Sequence, residues 1–242
     1  MKIVALVQAR MGSTRLPGKI LMDIEGESML WHVSDRLRRA KLLGGMIIVT
    51  SVSGSDDPVE NFCKHENIDF FRGSENDVLD RYYHAATHFK IDQIVRITGD
   101  CPLIDPEVVD AVIQKHLSSG ADYTSNTLNR TYPRGLDVEI FTFACLQAAY
   151  GQADQPFERE HVTPFIYQHA ELFRLVSVEA DPTLCGPDIR ICVDMPEDLM
   201  LIRKICRELK GSAMGIGEIV RLFERKPELL KINAGIQQKK AI

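Results

Sequence analysis

Short apolar runs alternate with amphipathic segments along the first half of the sequence. The runs have the length and the polar flanks of buried strands, and they comprise Ile3 to Val7, Met46 to Thr50, Ile68 to Phe71 and Gln93 to Thr98. Between the first two, apolar residues recur at helical spacing from Met29 to Ala40. The other positions of this helix, which we expect to face solvent, carry Arg36, Arg38, Arg39 and Lys41. The pattern predicts an α/β fold with a largely parallel sheet and right-handed crossovers.

Turn and capping residues divide the rest of the chain. Further helices are predicted from Asp56-Asp57-Pro58, from about Asn76 to Phe89, after Asp105-Pro106, and from Pro196 to about Lys210. An alternating pattern predicts a strand from Asp137 to Phe143, and an apolar run predicts another from Ile189 to Val193. The last amphipathic segment runs from Ile216 to Leu230, and the tail from Gln237 to Lys240 is expected to fray. Without an internal repeat, one domain over 1–242 is the expectation.

Composition narrows the class of protein. The 242 residues are 45% hydrophobic and 26% charged, which is enough for one large globular core. No run of about 18 apolar residues occurs, and the first apolar run is short, so we expect a cytoplasmic protein without a membrane partner. The six scattered cysteines fit reduced thiols. A net charge of -5 argues against nucleic acid as a partner, so an anionic ligand requires a local basic cluster.

Such a cluster directly follows the first strand. The segment from Gln8 to Lys19 contains Arg10, Arg15 and Lys19 together with Gly12, Ser13, Thr14 and Gly18. Backbone N–H groups of a glycine-bearing loop, with arginine and lysine side chains, suit a polyphosphate. The spacing is not that of a P-loop, because five residues separate Gly12 from Gly18 and Ile20 stands where Ser or Thr is needed. A solvated loop with incidental charges is the alternative.

Two aspartates follow predicted strands. Asp100 comes after Gln93 to Thr98, and Asp194 comes after Ile189 to Val193. Both should project from the carboxyl edge of the sheet, where ligands of α/β folds bind. Mg²⁺ is commonly held by one or two carboxylates together with substrate phosphates. Helix capping is the alternative for each, because both precede proline-containing helix starts.

The basic loop from Gln8 to Lys19 resembles the signature of the sugar-acid cytidylyltransferases, the family of CMP-sialic acid and CMP-KDO synthetases. The spore-coat polysaccharide biosynthesis protein F branch is the most similar. The motifs that carry this resemblance are the loop itself, Thr98 to Ile104, Tyr132 to Glu139, Glu160 to Pro164 and Val193 to Leu199. Together they span nearly the whole chain.

The resemblance implies a single-domain, three-layer α/β/α nucleotidyltransferase, Rossmann-like and GT-A-like, with a mostly parallel sheet and a small antiparallel excursion. It implies CTP as co-substrate, Mg²⁺ on Asp100 and Asp194, and catalytic roles for Arg10 and Lys19. Nucleotide-binding roles are implied for Ala9, Arg10, Gly12, Ser13, Arg15, Lys19, Gly73, Ser74, Arg81, Thr98 and Gly99. Of these, Gly73 and Ser74 would lie beside cytosine and ribose, and Arg81 would support their loop.

The acceptor side is predicted in the less regular region. Arg134, Asp137 and Glu139 offer one cation and two hydrogen-bond acceptors, which suits a carboxylated and hydroxylated sugar. Arg159 and His161 are expected to close the same pocket, and His161 is not assigned as a base. A surface ion network or a dimer contact is the alternative for all five. The expected division is a nucleotide-binding half at 1–120, an acceptor-binding and dimer-contact region at 121–185, and a returning strand with C-terminal helices at 186–235.

The resulting hypothesis is attack of an acceptor hydroxyl on the α-phosphorus of CTP, with release of pyrophosphate. The product would be a CMP-linked nonulosonate or KDO-like sugar for surface polysaccharide. Alternatives are a nucleotidyltransferase with another base or acceptor, a GT-A-type glycosyltransferase and a non-catalytic nucleotide-binding scaffold subunit. The glycosyltransferase alternative is disfavoured because Asp100-Cys101-Pro102 supplies one acid where a DxD motif would supply two.

Overall fold

The first strand directs its side chains alternately into two apolar cores, so both faces of the sheet need a covering layer of helices. In the computed structural model, which describes residues 1–210 and 214–237, strand β1 spans Ile3–Gln8. Ala5 and Val7 pack into one core, and Val4 and Leu6 pack into the other. The predicted fraying of Gln237 to Lys240 falls almost wholly outside the described residues.

The other elements follow the predicted alternation. The remaining strands are β2 (Asp23–Ile24), β3 (Glu27–Ser28), β4 (Met46–Ser51), β5 (Asp69–Gly73), β6 (Gln93–Thr98), β7 (Tyr123–Ser125), β8 (Glu139–Thr142) and β9 (Leu175–Ser177). The helices are α1 (Met29–Leu37), α2 (Asp57–Glu66), α3 (Val78–Phe89), α4 (Pro106–Ser119), α5 (Phe143–Gln152), α6 (Pro156–His161), α7 (Pro164–Gln168), α8 (Pro196–Glu208) and α9 (Ile216–Arg225). Short 3₁₀ turns occur at Lys19–Leu21, Gly54–Asp56, Pro182–Leu184 and Pro227–Lys231.

Among the described residues, seven strands form one sheet in the order β5-β4-β1-β6-β8-β7-β9, and β2 and β3 form a separate hairpin. The pairs on either side of β1 are parallel, and β8 runs antiparallel to both β6 and β7. One core lies under α1, α2, α4, α8 and α9, and the other lies under α3, α5, α6 and α7. The predicted three-layer α/β/α fold, with a mostly parallel sheet and an antiparallel excursion, is confirmed.

The predicted strand from Ile189 to Val193 is wrong. Among the described residues, this segment forms one isolated parallel bridge, between Arg134 and Arg190, and it bends at Cys192. The neighbouring chain bends at Gly135, where φ is +105° and an added Cβ would lie 2.7 Å from the backbone of Ile191. Because the two backbones meet at this bend, a longer ladder cannot form. Val193 N still donates to Asp100 O at 2.8 Å, which keeps the segment beside the end of β6.

Arg36 was predicted to face solvent, and this is also wrong. Its side chain is 4% exposed and donates to the carbonyl of Met214 at 3.0 and 3.1 Å. The reason lies in the helical repeat, since Arg36 follows Met29 and Val33 at the i+7 and i+3 positions of the buried stripe. Helix α1 ends at Leu37, so Ala40 and Lys41 lie beyond it.

Other boundaries shift for local reasons. The predicted strand from Asp137 begins at Glu139 and ends at Thr142, whose hydroxyl caps α5. The last amphipathic segment is divided after Arg225, because Pro227 lacks an N–H group and disfavours helical geometry at the residue before it. Within residues 1–210 and 214–237, no helix combines the length and the apolar character that a bilayer crossing demands.

Candidate active site

The basic loop between β1 and the first 3₁₀ turn folds back on itself. Gly18 N and Ser13 N both donate to Met11 O at 2.9 Å, and Gly18 adopts φ +69° to close the turn. Met11 N donates to Asp56 Oδ1 at 2.7 Å. Asp56, which the sequence placed at a helix start, is 2% exposed and thus ties the loop to the end of β4. The sequence signal for Asp56 was ambiguous because an acid before Pro58 is also typical of a helix cap.

Lys19 lies between the two predicted metal-binding aspartates. Its Nζ is 2.8 Å from Asp100 Oδ2, 2.8 Å from Asp194 Oδ1 and 2.7 Å from Val193 O. Burial lowers the pKa of Lys19, but the charges of Asp100 and Asp194 outweigh burial and raise it above its ordinary value. Lys19 is therefore a charged ammonium group enclosed by three oxygen atoms.

Asp194 is surrounded by cations. Arg15 Nη2 lies 2.8 Å from its Oδ1, and Arg190 Nη2 lies 2.8 Å from its Oδ2. Burial raises the pKa of this carboxyl, but Lys19 and the two arginines lower it to about 2. The carboxylate thus stays ionised across the physiological range. Asp100 is more open, with 26% of its side chain exposed against 12% for Asp194.

Helix capping does not explain either aspartate. The side chain that caps α4 belongs to Asp105, which accepts from Glu107 N at 2.8 Å. At the start of α8, Asp198 accepts the N–H groups of Asp194 and Met195. Asp100 and Asp194 instead point at Lys19, so the capping alternative is wrong for both.

The oxygen atoms around Lys19 have the chemistry of a hard-cation site. Two carboxylates and a backbone carbonyl already converge on one positive charge, and oxygen donors of this kind suit Mg²⁺. In the described part of the chain, no three His, Cys, Asp or Glu side chains form a metal-binding cluster. Two carboxylates and one carbonyl fit part of the coordination shell of a divalent ion, whose remaining ligands would be phosphate and water oxygens.

The other predicted nucleotide-binding residues surround the same edge. Arg10 is exposed and makes no side-chain hydrogen bond or ion pair to the described residues. Gly99 N donates to Gln8 O at 2.9 Å, and an added Cβ on Gly99 would lie 3.0 Å from that oxygen. Ala9 is buried against β4, Gly12 is exposed, and Thr98 Oγ1 lies 3.2 Å from the Cys101 sulfur.

Gly73 and Ser74 lie at the end of β5, and Arg81 of α3 holds them. Arg81 is 1% exposed and donates to Ser74 O at 2.6 and 2.9 Å. A Cβ on Gly73 would approach Arg81 Cγ to 3.1 Å, so glycine allows this close packing. The loop is thereby fixed by a buried arginine, which is the arrangement expected for its support.

The five predicted acceptor residues separate into two groups. Glu139 is 6% exposed and accepts from Arg96, from Tyr123 Oη and from Thr163 Oγ1 at 2.6 Å. Arg159 donates to Asp77 Oδ2 at 2.6 Å and to the carbonyls of Tyr150 and Ala153. Both side chains already have partners within the chain, as the ion-network alternative expects, and their contact with a sugar stays a prediction. Placing Glu139 in this way required its strand partner Arg96, which local alternation does not reveal.

The second group remains near solvent. Arg134 is half-buried and has no side-chain hydrogen bond or ion pair within 1–210 and 214–237. Asp137 accepts from both terminal nitrogens of Arg130, at 2.6 and 2.9 Å. His161 is exposed at the end of α6. Burial and the neighbouring charge of Arg130 lower the pKa of Arg134, and the charge of Asp137 offsets them only in part.

A three-layer fold with a basic glycine-bearing loop opposite two aspartates at the carboxyl edge defines an α/β nucleotidyltransferase. Residues 4–225 match the sequence profile of the cytidylyltransferases, and the chain belongs to this family. The resemblance drawn from the motifs is thus confirmed.

Relatives and solved structures agree with this assignment. The spore coat polysaccharide biosynthesis protein SpsF of Bacillus subtilis is 34% identical over 93% of this chain and 95% of that protein. A cytidylyltransferase from Leptospira borgpetersenii superposes with a TM-score of 0.91 at 31% identity and covers 99% of both chains. A CMP:2-keto-3-deoxy-manno-octonic acid synthetase complexed with CTP superposes with a TM-score of 0.65 at 21% identity, over 86% of this chain and 99% of that chain, which shows the shared fold.

Proposed function

We propose that this cytidylyltransferase moves CMP from CTP to a hydroxyl group of an acidic sugar of the nonulosonate or KDO-like class, with Mg²⁺ as cofactor. The observation that carries the proposal is the enclosure of Lys19 by Asp100 and Asp194 beside Arg15. The cationic side chains and the carboxylates proposed to bind the metal are therefore in direct contact. A nucleoside triphosphate and its metal ion require this combination.

Three of the cations at this edge are paired with carboxylates of the chain itself. Arg15, Lys19 and Arg190 face the three carboxylates of Asp100, Asp194 and Asp198. An added divalent ion would meet the repulsion of Lys19, whereas a bound triphosphate offers Lys19 and Arg15 new anionic partners. Lys19 and Arg15 would therefore change partners from carboxylate to phosphate as CTP binds. Nucleotide and metal binding would favour each other for this reason.

The transfer itself needs positioning and charge neutralisation. The acceptor oxygen forms a bond to the α-phosphorus, the bond from that phosphorus to the bridging oxygen breaks, and pyrophosphate leaves. The hydroxyl proton passes to solvent. Arg10 and Lys19 would stabilise the α-phosphate and the leaving group, and Arg15 would hold the outer phosphates. Mg²⁺ on Asp100 and Asp194 would supply charge neutralisation between carboxylate and phosphate oxygens.

Arg134 supports the proposed acceptor class. Its guanidinium group lacks a counter-ion in the described chain and lies beside the Arg130–Asp137 pair. A half-buried cation of this kind suits the carboxylate of a sugar acid, and Asp137 adds an acceptor for sugar hydroxyls. We accordingly assign acceptor binding to 121–185 and nucleotide binding to 1–120 of a single domain, and the homodimer contact expected at 121–185 stays a prediction. By analogy with SpsF, the product would serve surface polysaccharide, and the reaction would occur in the cytoplasm, where CTP is available.

The experiment is a matrix of the four nucleoside triphosphates against sugar acids and their neutral analogues. Pyrophosphate release is measured, and the product is identified by mass spectrometry. We expect release only with CTP and a sugar acid, and a product with the mass of its CMP conjugate. Release with another triphosphate would change the proposed base, and release with a neutral sugar would change the proposed acceptor. Turnover of a nucleotide sugar would indicate a glycosyltransferase, and CTP binding without turnover across the matrix would favour the scaffold alternative.

A further inference from the structure

A buried group of polar side chains extends from Asp194 on the side opposite the basic loop. Arg190, Asp198 and Asn233, here called the Asp194 clamp, are 7%, 0% and 6% exposed. Arg190 Nη2 donates to Asp194 Oδ2 at 2.8 Å and to Asp198 Oδ2 at 3.1 Å. Arg190 Nε donates to Asp198 Oδ1 at 3.0 Å. One planar guanidinium thus fixes the orientation of Asp194 relative to a carboxylate in the core.

Asp198 does more than cap α8. Its Oδ2 accepts from Asp194 N at 2.9 Å and from Met195 N at 3.0 Å, which is the capping part of its role. The same carboxylate also holds the arginine that contacts the Asp194 side chain. Asp198 therefore fixes both the backbone and, through Arg190, the carboxylate of Asp194.

Asn233 closes the clamp from the C-terminal segment. Its Nδ2 donates to Asp198 Oδ1 at 2.8 Å and to Arg190 O at 3.1 Å. Asn233 follows the 3₁₀ turn at Pro227–Lys231 and lies beyond residues 4–225 that match the family profile. The C-terminal segment thus reaches the candidate active site through one amide group.

We propose that Asp198, Arg190 and Asn233 are positioning residues for the transfer reaction and act by fixing Asp194. Lys19 and Arg15 both attract Oδ1 of Asp194, whereas Arg190 holds Oδ2. Without the clamp, the Asp194 carboxylate would turn toward the basic loop and lose the geometry that a reaction of this kind needs. This inference rests on the proposed function.

The test uses Asp198→Asn, with Asp105→Asn as its matched control. Asp105 is also a buried helix-capping aspartate, 2% exposed, and it accepts from Glu107 N and Ile216 N at 2.8 and 2.6 Å without contacting Asp194. In Asp198→Asn we expect kcat to fall about tenfold or more while KM for CTP stays within about twofold. Asp105→Asn should lower Tm and leave kcat unchanged.

A crystal structure of nucleotide-free Asp198→Asn gives a readout that does not depend on the identity of the reaction. We expect Asp194 Oδ2 to leave Arg190 Nη2, from which it is 2.8 Å away in the native chain, and the carboxylate to turn toward Lys19 and Arg15. If Asp198→Asn does not fold, Asn233→Ala removes only two hydrogen bonds and should lower kcat about threefold. The inference is overturned if the folded variants keep both the native kcat and the native Asp194 position, or if Asp105→Asn lowers kcat as much as Asp198→Asn. If neither the native protein nor any variant is active, but Asp194 is displaced in Asp198→Asn, the proposed function is rejected. The positioning of Asp194 by the clamp is then still supported.

Discussion

Individual side chains at the site differ in what holds them, and this difference decides what each substitution can report. Lys19 is a structural cation as well as a candidate catalytic one, because its removal would leave Asp100 and Asp194 facing each other in a partly buried site. Arg10 is exposed and does not neutralise a buried carboxylate among the described residues. Arg10 is therefore the cleaner probe of charge stabilisation in the transition state.

Arg10→Ala should lower kcat about a hundredfold, the scale of losing one preorganised donor, and should leave Tm within about one degree. Steady-state kinetics and thermal unfolding of the same preparation measure both quantities. The control is Arg39→Ala, since Arg39 is 57% exposed and its one ion pair among the described residues is with Asp35 of α1. Equal kcat and KM values for the two variants would mean that the loop is a solvated surface loop.

Local sequence was sufficient for some residues and insufficient for others, depending on what determines their position. The loop cations and Asp100 could be found because they follow β1 and β6, which end at the same edge of the sheet. Asp194 reaches that edge although the segment before it is not a strand, because Val193 N donates to Asp100 O. The roles of Asp56 and Asp198 could not be predicted in this way. Asp56 binds Met11, which is distant in sequence, and Asp198 is indistinguishable in sequence from an ordinary helix cap. Arg36 was misplaced since a charge on a buried stripe requires carbonyl partners that sequence does not show.

At the scale of elements, periodicity predicted what each segment is more reliably than what it pairs with. The runs of β1 and β4 are apolar on both faces, as expected of central strands, and β6 pairs with β1 although one of its faces carries Arg96 and Thr98. The run from Ile189 to Val193 is equally apolar, yet its neighbour bends at Gly135 and leaves a single bridge. The antiparallel β8 likewise depends on pairing with β6, which no local pattern specifies.

The attachment of α4 to the sheet gives a pH-dependent prediction. His116 of α4 is 2% exposed and contacts Thr124 Oγ1 and Gln93 Oε1, each at 3.0 Å. Burial lowers its pKa in the folded state below the ordinary 6.5. The unfolded chain therefore binds this proton more readily, so the stability is fully present above pH of about 6.5 and falls as the pH decreases below it.

Urea unfolding between pH 5 and pH 7.5 should show this decrease, with a slope from this one group of up to about 1.4 kcal/mol per pH unit. His116→Gln should remove that part of the slope. His65→Gln, which changes a side chain that is 85% exposed, should retain it. A native slope in His116→Gln would assign the pH dependence to other groups.

At the scale of the whole molecule, a negatively charged chain builds one balanced cluster of charges at the carboxyl edge of its sheet. The net charge is -5, but the basic loop, the aspartates and Arg190 meet where β1 and β6 end. Residues from near both ends contribute, since Lys19 contacts Asp194 across 175 positions and Asn233 completes the clamp. Long-range contacts of this kind require the complete fold. The pattern of elements predicted the class of that fold but not these contacts.

The most direct measurement of the central claim is pyrophosphate release from CTP by Asp100→Asn in the presence of Mg²⁺ and the acceptor. Asp100 is a better target than Asp194 because 26% of its side chain is exposed. Its ion-pair partner is Lys19, and we expect the Asn variant to keep the fold. The account predicts a fall in kcat of about a hundredfold or more at saturating CTP, with Tm changed by only a few degrees. A folded Asp100→Asn variant with a rate within about twofold of the native protein would contradict it, because the carboxylate opposite the basic loop would then have no part in the reaction.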